Sequence, residues 1–327
     1  MMMNHSLKNQ FNLRQGSVIE GKWHRNHYVI ERELGYGANG IVYLARSQSG
    51  PVALKMSDNG LSITSEVNVL KSFAKVQGSA LGPYLLDVDD WIYRGKQISF
   101  YVMEYIQGPQ FLSFIQQKGH AWTDALILQL LNDLEKLHDN GWVFGDLKPE
   151  NLIVTGPPSK IRCIDVGGTT MQGRAIKEFT EFYDRGYWGL GSRKADPGYD
   201  LFAVAMIMIN TAYPNRFSKT TGGLNQLMKM INEKNELKKY EHVLSNALQG
   251  KYTRAEEMRI SMLETIQNNS GRDVSYSQRS ASRTRKKVNI SRQGFQKGKK
   301  RGGVLETVSI FVIISLLYLF YIFGQVV

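Results

Sequence analysis

The chain has 327 residues, with 41 Lys and Arg against 29 Asp and Glu, a formal net charge of +12 at pH 7. A single cysteine, Cys163, excludes an internal disulfide framework and fits a reducing compartment, and six histidines at 5, 24, 27, 120, 138 and 242 show no metal-ligand spacing. The charge is uneven: up to Gly271 there are 30 bases and 27 acids, whereas Arg272 to Arg301 holds eleven bases and one acid, so an anion-facing role belongs to the later stretch.

Residues 1–27 read as an N-terminal extension without the apolar core of a signal peptide. Next, Leu34-Gly35-Tyr36-Gly37-Ala38-Asn39-Gly40-Ile41-Val42-Tyr43-Leu44 sets three glycines in a G-x-G-x-x-G-x-V pattern between two apolar, β-prone runs. The pattern predicts a hairpin whose N–H groups could close on an anionic ligand without Cβ interference, although the same glycines would serve an ordinary hairpin. Val52-Ala53-Leu54-Lys55 reads as a strand whose ammonium either reaches the phosphates of a nucleotide or stands solvated. Ser65 to Phe73 has helical apolar spacing, and Glu66 in it either points inward to pair with Lys55 or is one more exposed helix charge. Ile98 to Ile106 is a strand running into a connector at Gly108. Asp124 to Leu137, with Ile127, Leu130, Leu131, Leu134 and Leu137 at helical spacing, is an amphipathic helix with a core-facing stripe.

The most informative segment is Gly145-Asp146-Leu147-Lys148-Pro149-Glu150-Asn151, followed by Asp165-Val166-Gly167. Phosphoryl transfer needs a carboxylate to accept the proton of the attacking hydroxyl, a cation near the transferring phosphate, and oxygen ligands for Mg²⁺. Asp146, Lys148 and the pair Asn151 and Asp165 could fill those roles in that order; the plain alternative is a polar surface turn, which Pro and Asn favour.

In this order the segments resemble the Hanks-type (eukaryotic-like) serine/threonine protein kinases over about Tyr28 to Ile266. The resemblance implies an α+β, two-lobed kinase fold, with a small lobe and hinge over 28–108, a mainly helical lobe over 109–267, and ATP with Mg²⁺ between them. It implies phosphate contact by Gly35, Gly37 and Gly40, nucleotide contact by Val42, Ala53, Met103, Glu104 and Ile106, and phosphate anchoring by Lys55 with Glu66. It further implies Asp146 as catalytic base, Lys148 at the γ-phosphate, and Asn151 and Asp165 as Mg²⁺ ligands. Gly198 to Ile209 looks like the buried central helix of the large lobe, where Asp200 would bond the catalytic-loop backbone or simply cap its helix. Asp-Leu-Lys-Pro-Glu-Asn looks like the serine/threonine form of the catalytic loop, so protein substrates are expected.

Departures from the family pattern carry expectations too. Phe144-Gly145-Asp146 stands where His-Arg-Asp is common, so the arginine that would bind a phosphorylated activation segment is missing and activity should not depend on that phosphate. Val166 replaces Phe at a packing position without loss of chemistry. Tyr187-Trp188-Gly189 falls where Ala-Pro-Glu is expected, so the ion pair that anchors the substrate-side loop is expected to be absent. Thr169, Thr170 and Thr180 are candidate modified hydroxyls in this segment.

Residues 268–303 are rich in Ser, Arg, Gln and Gly and cannot bury a core, which predicts a flexible basic linker. Its serines lie among bases, so phosphorylation there would cancel charge, or they are ordinary serine-rich disorder. Val308 to Phe323 contains no charge, and the apolar run continues to Val327, long enough at about 1.5 Å per residue for a ~30 Å hydrocarbon layer. A transmembrane helix is therefore expected over 304–327, with a buried soluble helix as the alternative. Lys297, Lys299, Lys300 and Arg301 directly before it place the kinase-like body in the cytoplasm, with no folded unit outside. Arg279, Arg283, Arg285, Lys286, Lys287 and Arg292 suit either anionic lipid headgroups or DNA phosphates. The whole arrangement resembles a tethered subtype of these kinases in spore-forming bacilli, which implies DNA-associated regulation and favours DNA for the linker. A pseudokinase scaffold holding partners near DNA or membrane is the competing expectation, motivated by the missing arginine and Ala-Pro-Glu; retention of Lys55, Glu66, Asp146, Lys148, Asn151 and Asp165 together argues for an active enzyme.

Overall fold

The computed structural model describes residues 13–37, 40–75 and 81–268, all within one compact unit spanning 1–273. The basic linker beyond 268, the span expected at 304–327, and Ala38 and Asn39 of the glycine-rich turn lie outside the described residues. Among the described residues no helix is long and apolar enough to cross a membrane.

The small lobe is a six-stranded antiparallel sheet in the order β1 (Val18–Glu20), β2 (His27–Gly37), β3 (Gly40–Ser47), β4 (Gly50–Ser57), β6 (Lys96–Glu104), β5 (Leu85–Tyr93). Its strands alternate between two faces at period two, and the central β4 is buried on both from Val52 to Ser57, which is why it reads as a nearly continuous apolar run, whereas β1, β2 and β5 keep exposed positions. Ile41, Tyr43, Val52, Leu54, Phe100 and Val102 join one cluster drawn from strand residues, so the twisted sheet curls over its own apolar face. The opposite face carries Ala53, Lys55, Tyr101 and Met103 toward the helix Gly60–Lys75 and the cleft.

The sheet begins ahead of Tyr28, so the expected extension over 1–27 is corrected: residues from 13 onward belong to the small lobe. Val18, Ile19 and Glu20 pair with Val29, Tyr28 and His27, and Ile19 is fully buried in the sheet cluster. The turn after β1 is fastened to β5 by carboxylates. Asp89 accepts from the N–H groups of Trp23 and His24 at 3.0 and 2.8 Å, and Asp87 accepts from Asn26 at 2.9 Å and Tyr28 at 2.6 Å while facing the His24 ring at 2.7 Å. Short strands with few apolar residues hide this kind of element from periodicity.

The large lobe is built on two helices, Ala121–Asp139 and Pro197–Ala212. The first buries the stripe Ile127, Leu130, Leu131, Leu134 and Leu137. The second is buried from Gly198 to Thr211, all round its circumference, as befits a central core helix. Its N-cap is Asp196, whose side chain accepts from the Tyr199 N–H, with Pro197 in the first turn. Two short antiparallel pairs accompany these helices: the hairpin β8 (Leu152–Thr155) with β9 (Lys160–Cys163), and the long-range pair β7 (Trp142–Val143) with β10 (Thr170–Met171). A last helix begins at 255 and runs to 268.

Ile19→Ala should lower unfolding stability by roughly 2–5 kcal/mol in urea titration if β1 is part of the lobe. A change below about 0.5 kcal/mol would return 13–27 to the status of an appended segment.

Candidate active site

The cleft between the sheet and the large lobe is a cavity of about 390 Å³. Gly35, Gly37, Gly40, Val42, Ala53, Lys55, Met103, Glu104, Ile106, Asn151 and Asp165 all line it, so eleven sequence-predicted residues from five segments converge there. Of the three loop glycines only Gly40 is sterically obliged among the described atoms: its φ is +134°, and a Cβ would lie 2.3 Å from the Met56 carbonyl oxygen. A Cβ at Gly35 or Gly37 would meet nothing within 4 Å.

Lys55 and Glu66 form the expected pair, Nζ to Oε2 at 2.6 Å, with both side chains almost fully buried. The β3–β4 register brings Lys55 opposite Val42 on the cleft face, and the helix Gly60–Lys75 carries Glu66 to it. Glu66 also accepts from the Tyr101 hydroxyl at 2.7 Å and from Ser62 at 3.3 Å, two partners that sequence spacing did not single out.

The loop that carries Asp146 is held by Asp200. Its carboxylate is fully buried and accepts from the Phe144 N–H at 2.7 Å and the Gly145 N–H at 2.9 Å, while His138 Nε2 stands 2.9 Å from Oδ2. With Asp196 as the cap, the choice left open for Asp200 resolves to the backbone clamp. His138, which histidine spacing left without a role, is part of it. Gly145 has φ +83°, and a Cβ there would come within 2.7 Å of the Gly168 carbonyl oxygen, so a side chain in its place would strain the loop and push this neighbour aside.

Asp146 is bound by Lys148 through Oδ2, and Thr180 donates to Oδ1 at 3.2 Å while Lys148 also reaches Thr180 at 3.2 Å. Thr180, far away in sequence, thus joins Asp146 and Lys148; the only signal for it was a hydroxyl in the activation segment. Asn151 donates from Nδ2 to the Asp146 carbonyl at 3.0 Å, which leaves its amide oxygen as an acceptor, and Asp165 accepts from the Gly167 N–H at 3.0 Å. An amide oxygen and a carboxylate from adjacent segments are hard donors that suit Mg²⁺. Glu104 commits its carboxylate to Arg162 at 3.0 and 2.8 Å, so its contribution to the cleft is main-chain. Arg162 also bonds the Gly82 carbonyl, just ahead of β5, at 2.7 Å, a second tie between this residue and the small-lobe side.

The substrate-side segment is better anchored than its missing Ala-Pro-Glu predicts. Arg185 makes a two-pronged pair with Asp196 at 2.9 and 2.6 Å, and Arg193 pairs with the fully buried Asp184 at 2.7 Å. Asp184 also caps the helix Arg185–Trp188 through the N–H groups of Gly186 and Tyr187 and accepts from the Tyr199 hydroxyl at 2.9 Å. Ala-Pro-Glu is absent as read, and different residues supply ion pairs to this segment. Val166 is buried in the main core, as a packing residue should be. Thr169 and Thr170 are buried as well, which removes them from the surface as modification sites in this conformation.

Burial pushes the Asp184 carboxyl up, but its bonds from Arg193, Tyr199 and the two N–H groups outweigh that and hold it below the usual carboxylate range. A depressed folded-state pKa contributes stability above the unfolded value of about 3.9, lost as pH falls through the folded value. The stability gap between wild type and Asp184→Asn should accordingly be constant near neutrality and shrink below about pH 4, followed by urea unfolding at each pH; a gap that does not change with pH would contradict the assignment.

Comparison with known proteins adds to this geometry. The family model for the protein kinase domain matches residues 28–276. The chain is 50% identical over 333 aligned residues, 98% of each chain, to the serine/threonine-protein kinase YabT of Bacillus subtilis (strain 168). It is 30% identical over 157 residues, 46% of this chain and 45% of the other, to a calcium/calmodulin-dependent protein kinase type 1 of Macrobrachium nipponense. Among solved structures, vaccinia related kinase 3 superposes with a TM-score of 0.57 at 17% identity, covering 82% of this chain and 95% of that one, a likeness of fold.

Proposed function

The chain belongs to the protein kinase family and is a serine/threonine protein kinase, and from that premise we propose that it transfers the γ-phosphate of ATP to Ser or Thr hydroxyls of cytoplasmic proteins through the residues gathered in the cleft. Bound ATP supplies the phosphoryl group, and Mg²⁺ the positive charge over its oxygens. Asn151 and Asp165 would hold the metal, and Lys55, kept extended by Glu66, would hold the nucleotide's phosphates. Asp146 takes the proton of the acceptor hydroxyl. Lys148 sits beside that carboxylate to balance charge on the transferring group, and Thr180 fixes the carboxylate's orientation through its other oxygen. The observation that carries the reading is the joining of Asp146, Lys148 and Thr180 in one hydrogen-bonded group with Asn151 bonded to the same loop. A scaffold has no need of that arrangement.

We extend the proposal to the C-terminal stretch on composition alone. The apolar run at 304–327 anchors the enzyme in a membrane with the kinase body in the cytoplasm, and the bases between 279 and 292 contact DNA phosphates and regulate activity, in a spore-forming cell. The support is the uncharged run Val308 to Phe323 and the eleven bases against one acid in Arg272 to Arg301.

With the full chain, labelled ATP and a protein acceptor, Asp146→Asn should cut transfer by roughly 10²–10⁴-fold while ATP binding persists. Retained transfer would remove Asp146 from the chemistry, and absence of transfer in wild type with ATP bound would favour the scaffold. In the same assay double-stranded DNA should stimulate wild type, and neutralising Arg283, Arg285, Lys286 and Lys287 should abolish that stimulation. Stimulation by anionic vesicles but not by DNA would assign the bases to lipid headgroups.

A further inference from the structure

Glu66 receives more than the lysine that family resemblance assigns to it. Lys55 and Tyr101 are Cα partners across β4 and β6, so ammonium and phenol rise side by side from one face of the sheet. Both end on the same oxygen, Glu66 Oε2, at 2.6 and 2.7 Å, while Ser62, one turn earlier on the helix Gly60–Lys75, donates to Oε1 at 3.3 Å. Tyr101 is 1% exposed and lines the nucleotide cleft. A buried phenol must find a partner, and a phenylalanine would fill the same space without that demand. Burial, and after it the charge of Glu66, push this phenol well above its ordinary pKa, so it stays a hydrogen donor wherever the protein is folded.

The two donors differ in what else they serve. In the proposed reaction Lys55 divides its ammonium between Glu66 and the nucleotide's phosphates, whereas Tyr101 has a single proton, given to Glu66. The helix is also met from the activation segment, where Lys177 Nζ lies 3.3 Å from Ser65 Oγ and 3.4 Å from the Thr169 carbonyl. Gly145 offers no side chain to read a phosphate, and Thr169 and Thr170 are buried. We propose that Tyr101 is a positioning residue: its hydroxyl keeps the helix Gly60–Lys75 docked with Glu66 facing the cleft, in the place that a phosphorylated activation segment would otherwise fill. The inference rests on the kinase reading of the cleft.

The test uses the full chain, treated with phosphatase, with transfer measured over a range of ATP concentrations. Tyr101→Phe should lower kcat about tenfold, the order expected for a hydrogen bond to a charged group, and leave KM for ATP within about twofold, because the adenine end of the cleft is untouched. In a Glu66→Met background the same change should have little further effect, since the acceptor is gone. Amide hydrogen exchange over 60–75 should quicken in Tyr101→Phe. An unchanged kcat, or an equal loss in both backgrounds, would overturn the inference while leaving the kinase reading intact. A wild type without transfer would overturn both.

Discussion

Asp200 places a carboxyl group where there is no exposed surface, and such a group is tolerated only when its oxygens are met by donors. Here the donors are the N–H groups of Phe144 and Gly145, with His138 on the same carboxylate. Because those two N–H groups belong to the residues just before Asp146, the buried helix Pro197–Ala212 fixes where the carboxylate proposed as the base stands. Remove that acceptor and two buried N–H groups lose their partner, at a cost of roughly 1–3 kcal/mol each. The other features of the large-lobe side of the cleft follow from this clamp. Asn151 bonds the carbonyl of Asp146, and Thr180 and Lys148 meet its side chain, so each depends on where the loop is held.

The small lobe repeats the principle with a different charge. Glu66 is 3% exposed, and Lys55, Tyr101 and Ser62 divide its two oxygens. A third buried carboxylate, Asp184, organises the substrate-side segment by the same means, with Arg193, Tyr199 and two backbone N–H groups. Three elements of the fold are thus each tied to a neighbour through a carboxylate whose desolvation is offset by several hydrogen bonds. Such ties specify one arrangement more than they add net stability.

Local motifs were legible in the sequence wherever the chemistry is local. The glycine pattern, Lys55, the Asp146-to-Asn151 loop and Asp165 are short runs of chemically marked residues, and the cleft collects them. The helix stripes were legible from period alone. What stayed hidden was pairing across long separations: Tyr101 with Glu66 at 35 residues, His138 with Asp200 at 62, Thr180 with Asp146 at 34, Arg162 with Glu104 at 58. None of these partners has a spacing rule, because tertiary packing rather than backbone periodicity brings them together. β1 was hidden for a related reason: three residues with one buried side chain give no alternation to detect. The ion pairs of Arg185 and Arg193 were missed because the expected anchor was sought at a fixed offset, and the fold places its substitute elsewhere.

Gly145 bears on how this enzyme could change over time or at the bench. In many relatives of such a site the residue there is a reader of phosphate, and regulation can be gained or lost by a side chain alone. Here the backbone holds a positive φ that L side chains rarely adopt, and a Cβ would crowd the Gly168 carbonyl. A single codon change to arginine would therefore strain the catalytic loop before it could sense anything. Phosphate control by that route carries a cost in backbone strain, and a new input attached outside this loop would avoid it.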